Sequence, residues 1–433
     1  MKDSRLAYQP IYVYLLFGLL LLLTGTVKAE EPLTLTETIQ LATQNQPLLQ
    51  SLDDAAASSR QSAIAEGQLP DPKIKFGMIN LPVTTNDALR YNRDDQTMVN
   101  IGISQDVTPL KKREIASDRM LAEADQYRTE QQVTARTIQR DVALAWLDVY
   151  EAQRKSELYQ RVIDDMKAER KVLASNVSTG VSKSSDVLRM DTDISITNEK
   201  LIFAKRDERK ARAALSRWIG NAASRSISSE LPVMTHRLAQ DEVKGELEKH
   251  PLIKNAYQTE KVAQIQLEGA QANLERNWGW EVAYGKRFAD RSDMLSFQVS
   301  IDLQLDRANR QDKRTAEKLL LIEKARKLTE DRRRELQSEL ENAEADAEAA
   351  EAREKEHLSS LIPNAQAKLR LAQTGYSAGA LPLSEVWLAR RDVIDVELDH
   401  WTILTDLQRA AVKIGYLLSD NRLYKENENE QHP

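Results

Sequence analysis

The sequence predicts a mainly α-helical protein with a membrane β-barrel portion, organised as two internal repeats of strand hairpin plus long helical hairpin. Three observations carry this. Residues 110–176 and 311–362 contain neither proline nor glycine. Four segments alternate apolar and polar residues, one pair ahead of each long stretch, and short motifs of the first half recur in the second. Of the 433 residues, 30% are charged and 5% aromatic, which suits long solvated helices better than a compact enzyme.

Residues 1–29 read as a signal peptide. Lys2 and Arg5 precede an apolar run from Ile11 to Leu23, and Val27-Lys28-Ala29 resembles a signal-peptidase site. An uncleaved membrane anchor is the alternative, although the run is short for a full span. Removing these residues moves the net charge from −6 to −8, which argues against a nucleic-acid partner. Cysteine is absent, so a disulfide scaffold, a thiolate metal site, a cysteine nucleophile and a lipid-modified N-terminal cysteine are excluded. The histidines at 236, 250, 357, 400 and 432 have no helical ligand spacing, so no metal site and no cofactor are expected.

The first repeat spans 30–232. "KIKFGMI" at 73–79 and "MVNIGISQDV" at 98–107 are its strands, with Val99, Ile101 and Ile103 on one face. Thr108 and Pro109 mark a helix start. The breaker-free stretch that follows would reach roughly 100 Å as a helix. A 3.5-residue period runs from Ile138 through Val142, Ala145 and Val149 to Leu173 and Val177, apolar or small throughout except at Arg170. The expected hairpin tip lies at about 176–187.

The second repeat spans 233–420, followed by a polar tail at 421–433. Its strands are "WGWEVAYGKRF" at 278–288 and "DMLSFQVSIDLQL" at 293–305. In the latter, Leu295, Phe297, Val299, Ile301 and Leu303 share one parity, and Ser296, Gln298, Ser300 and Asp302 the other. Dyad alternation over about ten residues is the signature of a transmembrane β-strand, and the tryptophans suit an interfacial girdle. A small soluble sheet is the alternative. Four strands cannot close a spanning barrel, because open edges leave backbone groups unpaired in lipid, so several chains must share one. The acidic "ELENAEADAEAAEAREKE" reads as a solvated helix face with alanines toward a partner. The second tip is expected at about 375–386.

The repeats align by short matches. "NQPLL" at 45–49 recurs as "KHPLI" at 249–253, and "STGVSKSSDV" at 178–187 as "SAGALPLSEV" at 377–386. In the tip match Ser178, Gly180, Ser185, Asp186 and Val187 meet Ser377, Gly379, Ser384, Glu385 and Val386.

This order of parts, with the paired tips, resembles the TolC family of outer-membrane efflux proteins over about residues 33–419. The resemblance implies a homotrimer with a twelve-stranded barrel in the outer-membrane lipid and an α-helical tunnel in the periplasm of a bacterial cell. Its implied partners are a periplasmic adaptor (membrane fusion) protein and an inner-membrane resistance-nodulation-division pump. "GQLPDPKIKFGMINLP" and "TMVNIGISQDV" look like the segment found in heavy-metal efflux members of the cobalt-zinc-cadmium and copper-silver type. Here the chain reads Leu110-Lys111-Lys112-Arg113, without the glycine that this type has before Lys-Arg. The resemblance also places adaptor contacts at Ser178, Gly180, Ser185, Ser377, Gly379 and Ser384, and a pore constriction at Glu385 with Asp186. Both carboxylates have a second reading, as acids that begin a return helix at its positive dipole end.

No nucleotide-binding phosphate loop is present, so the chain reads as a passive duct and not an enzyme. A drug-efflux or protein-secretion duct, or a structural coiled-coil protein of the envelope, remains open on these residues alone.

Overall fold

The computed structural model describes residues 31–44, 46–179, 183–232 and 245–418. The expected signal peptide at 1–29, Gly180 and the tail at 421–433 lie outside the described residues.

Both halves follow one order. In the first, α1 (Leu35–Thr43) and α2 (Pro47–Glu66) lead into β1 (Lys73–Ile79) and β2 (Met98–Val107). The long helix α3 (Leu110–Ser178) and its return helix α4 (Ser184–Ile219) follow. In the second, α5 (Pro251–Ala272) leads into β3 (Trp278–Arg287) and β4 (Met294–Ile301). Then come α6 (Gln311–Glu356), a π-helical turn (His357–Leu361), α7 (Ile362–Ser377) and the return helix α8 (Leu383–Leu417).

The shared "QPLL" and "HPLI" motifs are helix starts. Pro47 and Pro251 sit in the first turn, where the missing N–H costs nothing. His250 caps α5 by accepting from the Leu252 N–H at 3.2 Å. At α3 the expected Thr108 cap is not formed. Pro109 takes the cap position without a side-chain bond, and Arg113 donates instead to the carbonyls of Thr108 (3.2 Å) and Gly67 (2.8 Å). That arginine holds the end of α2 against the start of α3.

The 69 residues of α3 run unbroken, about 100 Å at 1.5 Å per residue. None of the heptad positions from Ile138 to Val177 is exposed. Arg170, the polar member, forms a two-pronged pair with Asp191 of α4. The core lies in clusters along this seam. One gathers Leu33, Leu35, Ile39, Val142, Trp146, Leu147 and Leu215, with the Trp146 indole donating to the Leu33 carbonyl at 3.1 Å. A second, toward the hairpin tips, gathers Leu158, Met166, Leu173, Met190, Val386 and Trp387.

The sheet is antiparallel in the order β1-β2-β3-β4, so β1 and β4 are its edges. β4 ends at Ile301, four residues short of the expected limit at 305. The reason is its partner: β3 begins at Trp278, opposite Ile301, and the ladder ends one bond further on, where the Asp302 N–H donates to the Asn277 carbonyl at 3.1 Å. Leu303 therefore lies beyond the strand, and Gln304 instead donates to the Asn273 carbonyl at 3.0 Å. Pro363 also fails to stop the second long helix. The π-turn immediately before it widens the backbone where the ring would otherwise strike a carbonyl, and the helix continues to Ser377. Among the described residues no helix is long and apolar enough to cross a membrane.

Candidate conduit surfaces and hairpin tips

Register sorts the sheet residues into two unlike faces. Ile74, Ile103, Val282 and Phe297 form one cross-strand row, and Phe76, Ile101, Tyr284 and Leu295 the next. Trp280 with Val299, and Trp278 with Ile301, extend the same face toward the helices. Almost all of these side chains are exposed, Phe76 at 80% and Leu295 at 78%. An apolar area of four strands open to the surroundings marks a surface meant for lipid or a partner. The opposite face carries Lys75, Gly102, Ala283 and Ser296 in one row and Lys73, Ser104, Glu281 and Gln298 in another. Lys73 pairs with Asp106 at 2.7 Å, and Lys75 with Glu281. This face is crowded by backbone. A Cβ on Gly102 would stand 2.9 Å from the Ala283 Cβ, so only hydrogen fits there.

The second tip is a Schellman turn. The Ala380 N–H bonds the Gly375 carbonyl at 2.8 Å, and the Gly379 N–H bonds Tyr376 at 2.9 Å. Gly379 has φ +73°, a left-handed conformation that residues bearing a Cβ adopt at a cost. Leu381 folds back over Gly375, where any Cβ would meet its Cδ1 at 2.6 Å. Ser377 donates to the carbonyls of Gln373 (3.0 Å) and Thr374 (2.9 Å). Pro382 then caps α8, placing Ser384 and Glu385 in its first turn. Glu385 is exposed, and among the described residues its carboxylate has no hydrogen-bond or ion-pair partner.

At the first tip Ser178 donates to the Ser175 carbonyl at 2.6 Å. Ser185 is exposed in the first turn of α4. Asp186 serves its own helix, where its carboxylate accepts from the Lys183 backbone N–H at 3.4 Å and so forms half of a capping box. Among the described residues the two carboxylates thus differ, with Asp186 engaged and Glu385 without a partner.

Contacts between the two helical hairpins have no counterpart in the sequence patterns. Arg390 of α8 pairs with Glu169 of α3. Arg409 of α8 reaches Asp148 at 2.7 Å and Glu151 at 2.6 Å. Burial alone would lower the Arg409 pKa, yet Glu151 and Asp148 more than offset it and hold it above the ordinary value. No local spacing announces these pairs, because their members are over two hundred residues apart.

No family model and no curated protein sequence matches the chain. Solved structures do. CusC aligns at 14% identity over 89% of this chain and 91% of its own, with a TM-score of 0.74. A membrane protein from Pseudomonas aeruginosa aligns at 15% over 89% and 90%, TM-score 0.73. The outer membrane protein VceC from Vibrio cholerae aligns at 15% over 89% and 95%, TM-score 0.70. The mostly helical chain with its small antiparallel sheet therefore has the fold of these membrane proteins.

Proposed function

We propose that the protein is the outer-membrane duct of a tripartite efflux system, passing its cargo from an inner-membrane pump and periplasmic adaptor to the exterior. The observation that carries this reading is a sheet with one apolar face, one polar face and two unpaired edges, mounted on helices about 100 Å long. In lipid those edges must pair, so β4 of one copy joins β1 of the next. Two copies would also close an even-stranded barrel. The resemblance to the TolC family favours three copies and twelve strands. Exposed Leu188, Ile202 and Phe203 on α4 give the neighbouring copy an apolar face to pack against.

In this reading Leu295, Phe297, Val299 and Ile301 face lipid, with Leu303 just past the strand at the periplasmic rim. Glu385 rings the constriction, and Asp186 acts mainly as a cap. Ser178, Gly180, Ser185, Ser377, Gly379 and Ser384 present the tips to the adaptor. The cargo is heavy-metal cations, supported by the "GQLPDPKIKFGMINLP" segment. A drug or protein cargo on the same fold is the competing reading.

Membrane fractionation with unheated and boiled samples on one gel tests the duct. An outer-membrane, heat-modifiable oligomer is expected, and a soluble heat-insensitive chain would overturn it. Growth of a deletion strain across metals and drugs, with and without the gene restored, decides the cargo.

A further inference from the structure

The long helices of the two repeats differ at one place among the described residues. α3 runs without a break, whereas its counterpart is interrupted by the π-turn His357–Leu361 ahead of Pro363. A proline inside a helix removes one N–H donor, and a π-turn leaves the hydrogen-bond ladder locally irregular, so this is the soft point of the second hairpin. At that point His357, 7% exposed, lies against His400 of α8. The ring centroids are 6.5 Å apart and the planes 19° from parallel. Both Nδ1 atoms are buried and neither has a hydrogen-bond partner.

We propose that His357 and His400 form a proton-sensitive joint that loosens α7, and with it the second tip, from α8 when the surroundings acidify. Neutral rings can rest against one another, but two imidazolium ions in this contact repel and draw in water. The other charged groups around the pair are few. Glu354 of α6 and Glu397 of α8 each lie one turn before a histidine, and Arg353 of α6 is engaged with Asp406 of α8 at 3.9 Å. From α3, Arg154 reaches the ring of Trp401, which adjoins His400.

Burial holds His400 below its ordinary value, against the opposing pull of Glu354 and Glu397. The packed state therefore favours the neutral ring, and it loses stability as pH falls below the ordinary histidine value near 6.5. A metal ion would be the rival occupant of a histidine pair, but among the described residues no group of three or more donors is placed to hold one. The inference concerns the hairpin itself and does not depend on the transport reading.

Hydrogen exchange of the full chain in detergent tests it, with peptides from 158–178 of unbroken α3 as an internal control. After correction for intrinsic rates, peptides from 357–377 should exchange about tenfold faster near pH 5.5 than near pH 7.5, while the control stays within about twofold. The double variant His357→Gln with His400→Gln keeps the shape and should abolish this response. His400→Gln alone, which leaves His357 in its pocket, should reduce it and serves if the double variant does not fold. Equal acceleration in both segments, a response that survives in the double variant, or one undiminished in His400→Gln, would overturn the proposal.

Discussion

Arg390 of α8 pairs with Glu169 of α3 and lies over the ring of Trp387 at 5.2 Å, tying the two helical hairpins of one copy together near their tips. Its side chain is 22% exposed and that of Glu169 35%, so screening leaves about 0.5–1 kcal/mol for the pair. In the proposed duct Arg390→Ala should therefore raise the open probability of single channels about two- to fivefold. Arg390→Lys, which keeps the charge without the flat stacking surface, should fall between. Gating identical to the parent in both variants would mean that the contact holds nothing closed.

Substitutions on neighbouring residues of β4 should part company. Val299 belongs to the apolar face opposite Trp280, and Ser300 to the polar face opposite Gly279. Near the bilayer midplane Val299→Arg should cost about 2–4 kcal/mol, while Ser300→Arg should be milder. Urea unfolding in lipid vesicles reads the difference directly. Equal tolerance would favour a sheet that stands in water.

Glu385 and Asp186 should separate in conductance. In the proposed duct Glu385, without a partner among the described residues, would face the pore, so Glu385→Gln should lower cation over anion selectivity in planar bilayers. Asp186→Asn should leave selectivity nearly intact and cost a few tenths of a kcal/mol of helix stability. Selectivity unchanged in Glu385→Gln would remove Glu385 from the pore.

A further expectation concerns acid stability. His250 is fully buried, with Nε2 at 3.2 Å from the Tyr416 carbonyl and Nδ1 capping α5. Burial, with Arg136 beside it, lowers its pKa from 6.5 to about 4 despite that carbonyl. The neutral ring is the folded form, so its contribution is complete above pH 6.5 and is lost as pH falls toward 4. The loss amounts to roughly 3 kcal/mol at most. Thermal unfolding across this range should be shallower in His250→Gln.

What could be read from sequence was whatever depends on near neighbours. β1 and β2 span the alternating segments, α3 spans the breaker-free stretch, and Gly379 takes the left-handed turn that ends α7. Interactions set by distant packing were not readable. β4 stops at Ile301 because its partner starts at Trp278, although its own alternation continues to Leu305. Nothing in the sequence announced the π-turn His357–Leu361 that precedes Pro363 and lets the helix run on to Ser377. Within the candidate site, the two acids were visible but their difference was not. Only the structure shows Asp186 bonded to Lys183 and Glu385 without a hydrogen-bond or ion-pair partner among the described residues.

The unpaired edges of β1 and β4 bear on how the protein is made. If the chain is the outer-membrane duct proposed above, each newly exported copy would hold a strip of apolar sheet that no bilayer accepts singly, since lipid offers no partner for its edge backbone. Copies of such a duct would have to find one another in water before or during insertion, and until then the strip would be a hazard for wrong pairing. Heredity follows from this order of events. A copy that binds its neighbours but carries a proline on the β4 edge would be built into shared rings and spoil them, so such an allele should act dominantly over a normal one.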